Sequence, residues 1–96
     1  MLKFDWDEAK NQANIRKHGI SFQEAITVFY DDDALIIQDD AHSELEERFI
    51  LIGFSYKANI LVVCHCYREQ DSIIRIISAR KASTKERKSY INSYEK

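Results

Sequence analysis

The sequence predicts an α+β fold, and three features of the chain support that prediction. Two helix-capping patterns are present, Ser21 with Glu24 and Ser83 with Glu86. Between them lie four short runs rich in β-branched residues, separated by only a few residues. Because such short connections join antiparallel neighbours, the four runs predict an antiparallel meander flanked by helices.

A short N-terminal strand and two helices are predicted before the meander. The strand is "LKFDW", and either Asp5 or Asp7 can cap a helix that continues to about Lys17. Gly19 lies just past the end of this helix, where a left-handed residue is common. The second helix begins after Ser21 and has apolar residues at helical spacing: Phe22, Ala25, Ile26 and Phe29.

The meander of four strands and a C-terminal helix complete the predicted fold. The strands are "ALIIQD", "ERFILIGFS", "NILVVCHCYR" and "SIIRIISA". The last segment, "STKERKSYINSYEK", predicts a helix whose packing side carries Tyr90, Ile91 and Tyr94. Because the first two helices are expected on one face of the sheet, the other face is expected to be open for function.

Length and composition favour one compact domain covering residues 1–96. No apolar run reaches the roughly 18 to 20 residues of a membrane span, and "MLKFDWDEAK" does not resemble a signal peptide. A cytoplasmic protein without membrane association is therefore predicted. The net charge is −2, yet residues 75–96 hold seven Lys or Arg against two acids. The acidic segment "DDDALIIQDDAHSELEE" is either a solvated rim or a surface for a basic protein partner.

The cysteines and the histidine of "CHCY" do not indicate a metal site. Cys64 and Cys66 share a face of the predicted strand, and they are too close within one strand to form a disulfide. His65 points to the other face, so the three side chains cannot readily bind one metal ion. We therefore predict no metal and no other cofactor.

The run "IRIISARKAS" places cations in and beside an apolar strand. Regular alternation puts Arg75 and Arg80 on opposite faces. Either a bulge near Ser78 and Ala79 or a position of Arg80 past the end of the strand can bring both to one cleft. Joined by Arg48, they would form a phosphate site, because guanidinium groups make bidentate contacts to phosphate. The structural alternative is that Arg75 pairs with an acid on a neighbouring strand and Arg80 with the terminal helix.

Three motifs in order resemble the BrnT family of type II toxins, which belongs to the wider RelE-like group of ribonuclease toxins. They are "FDWDEAKNQANIRKHGISFQEAITVF", "DAHSELEERFILIGFS" and "IRIISARKASTKERKSY", and they span Phe4 to Tyr90. The resemblance implies a RelE-like fold and a ribonuclease that cuts RNA, inhibits translation and arrests growth. It also implies a BrnA-like antitoxin that neutralises the toxin in a hetero-oligomer and binds operator DNA through its own DNA-binding part.

The resemblance also implies cleavage by a scattered set of cations and a separate group for proton transfer. Cleavage of RNA without metal needs a base for the 2′-hydroxyl, cations for the phosphorane and an acid for the leaving oxygen. Candidates for the phosphate are Arg48, Arg75 and Arg80. For proton transfer they are His42 with Glu46 or Glu47, since an imidazole pKa of about 6.5 suits this task. The alternative for His42 is a solvent-exposed side chain without a role.

Four further residues are candidates for RNA binding: Lys17, His18, Lys81 and Lys85. His18 is also a candidate for proton transfer, and its structural alternative is a cap at the end of the first helix. The RNA substrate can be free or bound to a ribosome. A rival hypothesis is a non-catalytic module that binds RNA or a partner protein through the same surface.

Overall fold

The computed structural model describes residues 1–39 and 46–95, and the predicted α+β fold is confirmed. The N-terminal half contains β1, α1, α2, a turn of 3₁₀-helix and β2. The C-terminal half contains three longer strands and α3. The elements are β1 (Phe4–Asp5), α1 (Glu8–His18), α2 (Phe22–Thr27), the 3₁₀ turn (Val28–Tyr30), β2 (Leu35–Gln38), β3 (Phe49–Phe54), β4 (Ile60–Arg68), β5 (Ile73–Lys81) and α3 (Thr84–Tyr94).

All five strands form one sheet in the order β1-β5-β4-β3-β2. The pairs β2–β3, β3–β4 and β4–β5 are antiparallel, which confirms the predicted meander. The short strand β1 lies parallel to β5 and pairs only with its start, Phe4 with Ile74 and Asp5 with Arg75. Beyond Arg75 no described strand pairs with the outer edge of β5, so this edge is left to α1.

Helices cover both faces of the sheet, which differs from the expectation of one fully open face. The larger core lies between the sheet and the first two helices and contains Ile20, Phe22, Ala25, Val28, Leu51, Leu61, Val63, Ile74, Ile76 and Ala79. On the opposite face, Tyr90 and Ile91 of α3 pack against Ile52, Ile60 and Val62. Only part of that face therefore stays accessible. The predicted packing of Tyr94 falls outside the described side chains.

Helix caps follow the sequence patterns with one exception. Asp7 caps α1, since its Oδ1 accepts a hydrogen bond of 2.8 Å from the Ala9 N–H, and Gly19 ends the helix at φ 71°. At α2 the Ser21 hydroxyl accepts from the Glu24 N–H, but the Glu24 carboxylate is buried and turns away from the cap. It accepts hydrogen bonds from Ser55 and Asn59 of the β3–β4 hairpin instead.

Two buried asparagines fix the position of α1. Asn14 donates to the Ile20 carbonyl at 2.8 Å and to the Ala79 carbonyl at 2.7 Å, and it accepts from the Ala79 N–H at 3.2 Å. Its amide thus satisfies the outward-facing backbone of β5 in the way a neighbouring strand would. Asn11 accepts from the Phe22 N–H at 2.8 Å and so ties α1 to α2.

Asp31 joins α3 to the middle of the chain. Its Oδ2 accepts 2.6 Å and 2.9 Å hydrogen bonds from the Tyr90 hydroxyl and the Phe54 N–H, and its Oδ1 accepts from the Asp33 N–H. Burial raises the pKa of Asp31, but these three hydrogen bonds together outweigh it, so the pKa is lowered. The carboxylate is therefore charged at neutral pH and anchors the buried tyrosine.

Removing the Tyr90 hydroxyl should weaken this anchor. Hydrogen bonds to charged groups contribute about 1.5 to 3 kcal/mol, so we expect Tyr90→Phe to lower the free energy of unfolding by about that amount. Urea denaturation measures the change. The matched control is Tyr56→Phe, since the Tyr56 side chain is 69% exposed and should change stability by less than about 0.5 kcal/mol. Equal stabilities for the two variants would contradict the assigned role of Asp31.

His65 is buried in an aromatic environment on the α1–α2 side of the sheet. Its ring lies 4.8 Å from Phe29 and 5.5 Å from Tyr67, measured between centroids, and its Nδ1 is 3.3 Å from the Val63 carbonyl. Burial lowers the pKa of His65. The neutral imidazole is therefore the form that the fold accommodates.

Acidification should destabilise the protein through His65. The pKa of His65 is lower in the folded state than in the unfolded state, so the folded state favours the neutral imidazole. The unfolding free energy is therefore fully present above the unfolded pKa and decreases as pH falls below it, because the unfolded chain then binds more protons. We expect His65→Phe to reduce the loss of unfolding free energy between about pH 7.5 and about pH 5, a range that includes the imidazole pKa of about 6.5. Denaturation at several pH values tests this, with His18→Gln as the control. An unchanged pH dependence in His65→Phe would contradict it.

Candidate active site

A β-bulge at Ile77 determines which side chains of β5 share a face. Cys64 pairs with Ser78 while the next residue of β4, His65, pairs with Ile76, so Ile77 has no partner in the ladder. The bulge lies one residue before the predicted position. Directly paired residues project to the same face of a sheet. Arg75, opposite Cys66, and Arg80, opposite Val62, therefore lie on one face despite their odd spacing.

Arg48 and Arg80 line one cavity on this face. The cavity measures about 270 Å³ and lies on the part of the sheet beside α3. Its lining residues are Asp39, Arg48, Ile50, Val62, Cys64, Ile77, Ser78 and Arg80. We call it the arginine cleft. The structure thus brings together two of the three arginines that the sequence indicates as phosphate ligands.

The third arginine, Arg75, lies outside the arginine cleft. Its Nη1 is 3.2 Å from Asp5 Oδ1, and Asp5 is its direct partner in the β1–β5 pair. This is the contact with an acid on a neighbouring strand that the structural alternative expects. Arg75 therefore shares the face of the cleft without lining it, and its role in phosphate binding stays a prediction.

Glu86 of α3 holds Arg80 by a bidentate contact. Arg80 Nη1 and Nη2 donate to Glu86 Oε1 and Oε2 at 2.7 Å and 2.9 Å, and Oε1 also accepts from the Ser83 N–H at 2.8 Å. These hydrogen bonds lower the pKa of Glu86 to about 2, and the hydrogen bonding from Arg80 has the largest effect. A guanidinium has five N–H groups. A carboxylate that uses two of them orients Arg80 and leaves others for an anion.

The thiols near the cleft are not activated. Burial raises the pKa of Cys64, and the positive charge of Arg48 acts in the opposite direction without overcoming that effect. Burial also raises the pKa of Cys66, and the negative charge of Glu46 adds to it. Both cysteines are free, and both are protonated at neutral pH. Neither therefore has the thiolate character of a nucleophile.

A second cavity lies on the other side of the bulge. It measures about 230 Å³ and is formed by α1 and the edge of β5. Its lining residues are Lys10, Ala13, Asn14, Lys17, His18, Ile77 and Ser78. We call it the lysine cleft. Two of the predicted RNA-binding residues, Lys17 and His18, thus lie beside the bulge, with the half-buried His18 at the end of α1.

The other predicted cations, Lys81 and Lys85, are exposed. Lys81 pairs with Leu61, whose side chain belongs to the core beneath α1 and α2. Lys81 therefore projects from the face opposite Arg80. Lys85 lies in the first turn of α3. The structure leaves their role in RNA binding as a prediction.

The predicted groups for proton transfer are not brought together in the described part of the chain. His42 lies outside the described residues. Glu47 is exposed, accepts a 2.9 Å hydrogen bond from Gln38 and lines a different cavity with Phe49 and Tyr67. The carboxylate that lines the arginine cleft is Asp39, which the sequence did not indicate. Its N–H donates to the Arg48 carbonyl at 2.8 Å, a backbone contact that no side-chain pattern signals.

Glu46, the other carboxylate considered for proton transfer, pairs with an arginine of β4. Its Oε2 lies 3.2 Å from Arg68 Nη2. Within residues 1–39 and 46–95 no group of three or more His, Cys, Asp or Glu side chains is arranged to hold a metal ion. In the same residues no helix is long and apolar enough to span a membrane.

The fold and the clefts define a small α+β protein with cationic cavities suited to an anion such as a phosphodiester. Residues 6–86 match the family model described as "Ribonuclease toxin, BrnT, of type II toxin-antitoxin system". A similar solved structure is the 1.1 Å crystal structure of the Brucella abortus ribonuclease toxin BrnT. It has 28% identity and a TM-score of 0.67, with 88% of this chain and 100% of that chain covered. No curated protein sequence matches this chain significantly.

The chain belongs to the BrnT family of ribonuclease toxins from type II toxin–antitoxin systems. The family that the three sequence motifs indicated is thereby confirmed. A toxin of such a system implies an antitoxin partner.

The charge on Glu86 should contribute measurably to stability. Because its pKa is lowered from 4.5 to about 2 in the folded state, the contribution is present above the unfolded value and is lost as pH falls toward 2. Glu86→Gln keeps a side chain that can complete the capping box but removes the charge. We expect it to lower the free energy of unfolding near neutral pH by roughly 1 kcal/mol, since the ion pair is partly exposed.

The pH dependence distinguishes the charge from packing. Chemical denaturation from about pH 6 to about pH 3 should show wild type losing more stability than Glu86→Gln, so that the two curves converge. Glu95→Gln is the control, because Glu95 is an exposed acid at the other end of α3. Parallel curves for wild type and Glu86→Gln would contradict a folded-state pKa near 2.

Proposed function

We propose that this chain is an endoribonuclease that cleaves RNA without a metal ion and binds the scissile phosphate between Arg48 and Arg80. The observation that carries the proposal is that Arg48 and Arg80 line the same cavity, where the bulge at Ile77 brings Arg80 to the face of the sheet that carries Arg48. Membership of a family described as ribonuclease toxins supports the same reaction. Translation inhibition is the proposed consequence, because cleaved messenger RNA cannot be read to its end.

The two arginines supply the electrostatic part of the reaction. Attack of the 2′-oxygen on the phosphorus creates a phosphorane with an added negative charge. Guanidinium groups remain charged throughout the pH range of the reaction and donate in a planar fork that matches phosphate oxygens. Glu86 orients Arg80 before the substrate binds. Little reorganisation is then needed when the charge develops.

For proton transfer we propose His42 together with Glu46 or Glu47, and His18 is the further candidate. His42 follows Asp39 by three residues in the sequence, and an imidazole exchanges protons near neutral pH. Glu47 lines a cavity other than the arginine cleft, which makes it the weaker candidate in this fold. Substituting each of these residues by Gln and measuring the cleavage rate against pH identifies the group that transfers the proton. Only the loss of the acid or base removes one limb of the pH–rate profile.

The partner is proposed to be a BrnA-like antitoxin whose DNA-binding part carries the complex to operator DNA. Acidic and apolar groups occur together around β2, where Ile36 and Ile37 are 53% and 46% exposed and Asp32 and Asp33 precede the strand. A basic antitoxin segment would be electrostatically complementary to this region. The negative charge of the aspartates and the exposure of the two isoleucines support this proposal.

The alternative function is a non-catalytic module that holds RNA or a protein in the same cleft. The ion pair between Arg80 and Glu86 favours this alternative, because it partly neutralises one of the two cations. The two functions differ in their products. An enzyme generates new RNA ends, whereas a binding module leaves the RNA intact.

The test is incubation of the antitoxin-free protein with a defined RNA in excess EDTA, followed by mapping of the ends. Losing one well-placed donor to the transition state costs about a hundred- to a thousandfold in rate, so we expect that loss in Arg48→Ala and in Arg80→Lys. Arg80→Lys keeps the positive charge but removes the planar guanidinium group that can donate two parallel hydrogen bonds. Arg87→Ala, an exposed arginine of α3, is the matched control and should cleave at the wild-type rate.

Arg75→Ala should lose less activity than either cleft variant, because Arg75 pairs with Asp5 outside the cleft. Circular dichroism and thermal unfolding confirm that each variant is folded. Intact RNA with folded wild type, repeated in a translating extract that supplies ribosomes, would contradict the proposed activity and leave the binding module.

A further inference from the structure

The arginine cleft and the lysine cleft meet at the bulge. Both are lined by Ile77 and Ser78, so the two cavities are the two sides of one edge of the sheet. The bulged Ile77 is half-buried and has no partner in the β4–β5 ladder. Among the described residues β5 is the edge strand at this point, because β1 pairs only with the beginning of β5.

The lysine cleft is built on one face of α1. Lys10, Ala13, Asn14 and Lys17 lie at positions i, i+3, i+4 and i+7, which place them in one row along the helix. Asn14 anchors this row to Ala79, two residues after the bulge, by hydrogen bonds of 2.7 Å and 3.2 Å. The lysines are therefore held beside the edge of β5 by the fold.

The charge of the two clefts contrasts with that of the whole protein. Among the described residues that line the lysine cleft there are two lysines and a histidine and no carboxylate. Among the described residues, the arginine cleft adds two arginines and the carboxylate of Asp39, and one of these arginines, Arg80, is also paired with Glu86. The chain as a whole carries a net charge of −2. A localised cationic path on an acidic protein favours an anionic polymer over a basic protein partner.

We propose that single-stranded RNA crosses the edge of the sheet at Ile77 and Ser78, with the scissile phosphate in the arginine cleft and a neighbouring phosphate between Lys10 and Lys17. This inference rests on the proposed ribonuclease function and deepens it by adding a second phosphate site. A strand that bends over an edge must be unpaired, and single-stranded RNA is also the form in which bases are accessible to proteins. Ile77 offers an apolar contact to the sugar or base at the crossing.

The experiment measures affinity for a 2′-O-methyl RNA oligomer, which has no free 2′-hydroxyl and is not cleaved, at a series of salt concentrations. Each phosphate neutralised on a single strand contributes about −0.7 to the slope of log K against log salt. Because Lys10 and Lys17 are proposed to hold one phosphate together, we expect Lys10→Ala/Lys17→Ala to reduce the magnitude of the slope by about 0.7. The control is Lys57→Ala/Lys88→Ala, two exposed lysines of the β3–β4 hairpin and of α3, which should leave it unchanged.

A second variant, Ala13→Glu, places a carboxylate between the two lysines. Ala13 is exposed and lies in the middle of α1, so a glutamate is accommodated there without loss of the helix. We expect weaker binding of the oligomer, most strongly at low salt, because the added charge repels phosphate. An affinity equal to that of wild type would overturn the second phosphate site.

The outcomes separate this inference from the ribonuclease proposal. Cleavage that depends on Arg48 and Arg80, with an unchanged salt slope in the double lysine variant, would overturn the path and leave the enzyme. A reduced slope in a protein that cleaves neither free nor ribosome-bound RNA would support the path and overturn the enzyme. Loss of antitoxin binding without loss of RNA affinity in Lys10→Ala/Lys17→Ala would identify a protein interface and overturn the path.

Discussion

The bulge at Ile77 is the constraint on which the rest of the site depends. Ile74 and Ile76 face the core beneath α1 and α2, and after the bulge Ala79 faces the same core although it is three residues further along. Burial of these side chains requires the extra residue, because a strand without it would turn Ala79 outward. The same extra residue moves Arg80 to the face that carries Arg48. Packing on one side of the sheet thus arranges the cations on the other.

Directional polar contacts hold the helices in place around that strand. Asn14 binds the backbone of Ala79. Asp31 accepts a hydrogen bond from the hydroxyl of Tyr90, a residue of α3 whose ring is buried against the sheet. Apolar packing alone lets a helix slide along a sheet, whereas a buried hydrogen bond has a single favourable position and is costly to leave unmade. The Asn14 contact therefore determines where the lysines of α1 lie relative to the bulge, and the Asp31 contact determines where α3 lies.

Glu86 connects the stability of α3 to the geometry of the arginine cleft. The same carboxylate completes the capping box with Ser83 and binds both terminal nitrogens of Arg80. Its position is fixed by the helix start, so the guanidinium is oriented in the absence of substrate. The ion pair also reduces the positive potential of the cleft. Precise orientation of Arg80 is thus accompanied by weaker general attraction for RNA.

The sequence by itself determined the order and type of the elements and the family to which the chain belongs. Caps at Asp7 and Ser83, helical spacing and strand alternation are local properties, which neighbouring residues decide through their own backbone and side chains. Only the tertiary structure decided the place of the bulge, the separation of Arg75 from the cleft and the diversion of Glu24 from its cap to Ser55. Each depends on a partner distant in the chain, and local patterns do not encode which distant groups a packed core brings together.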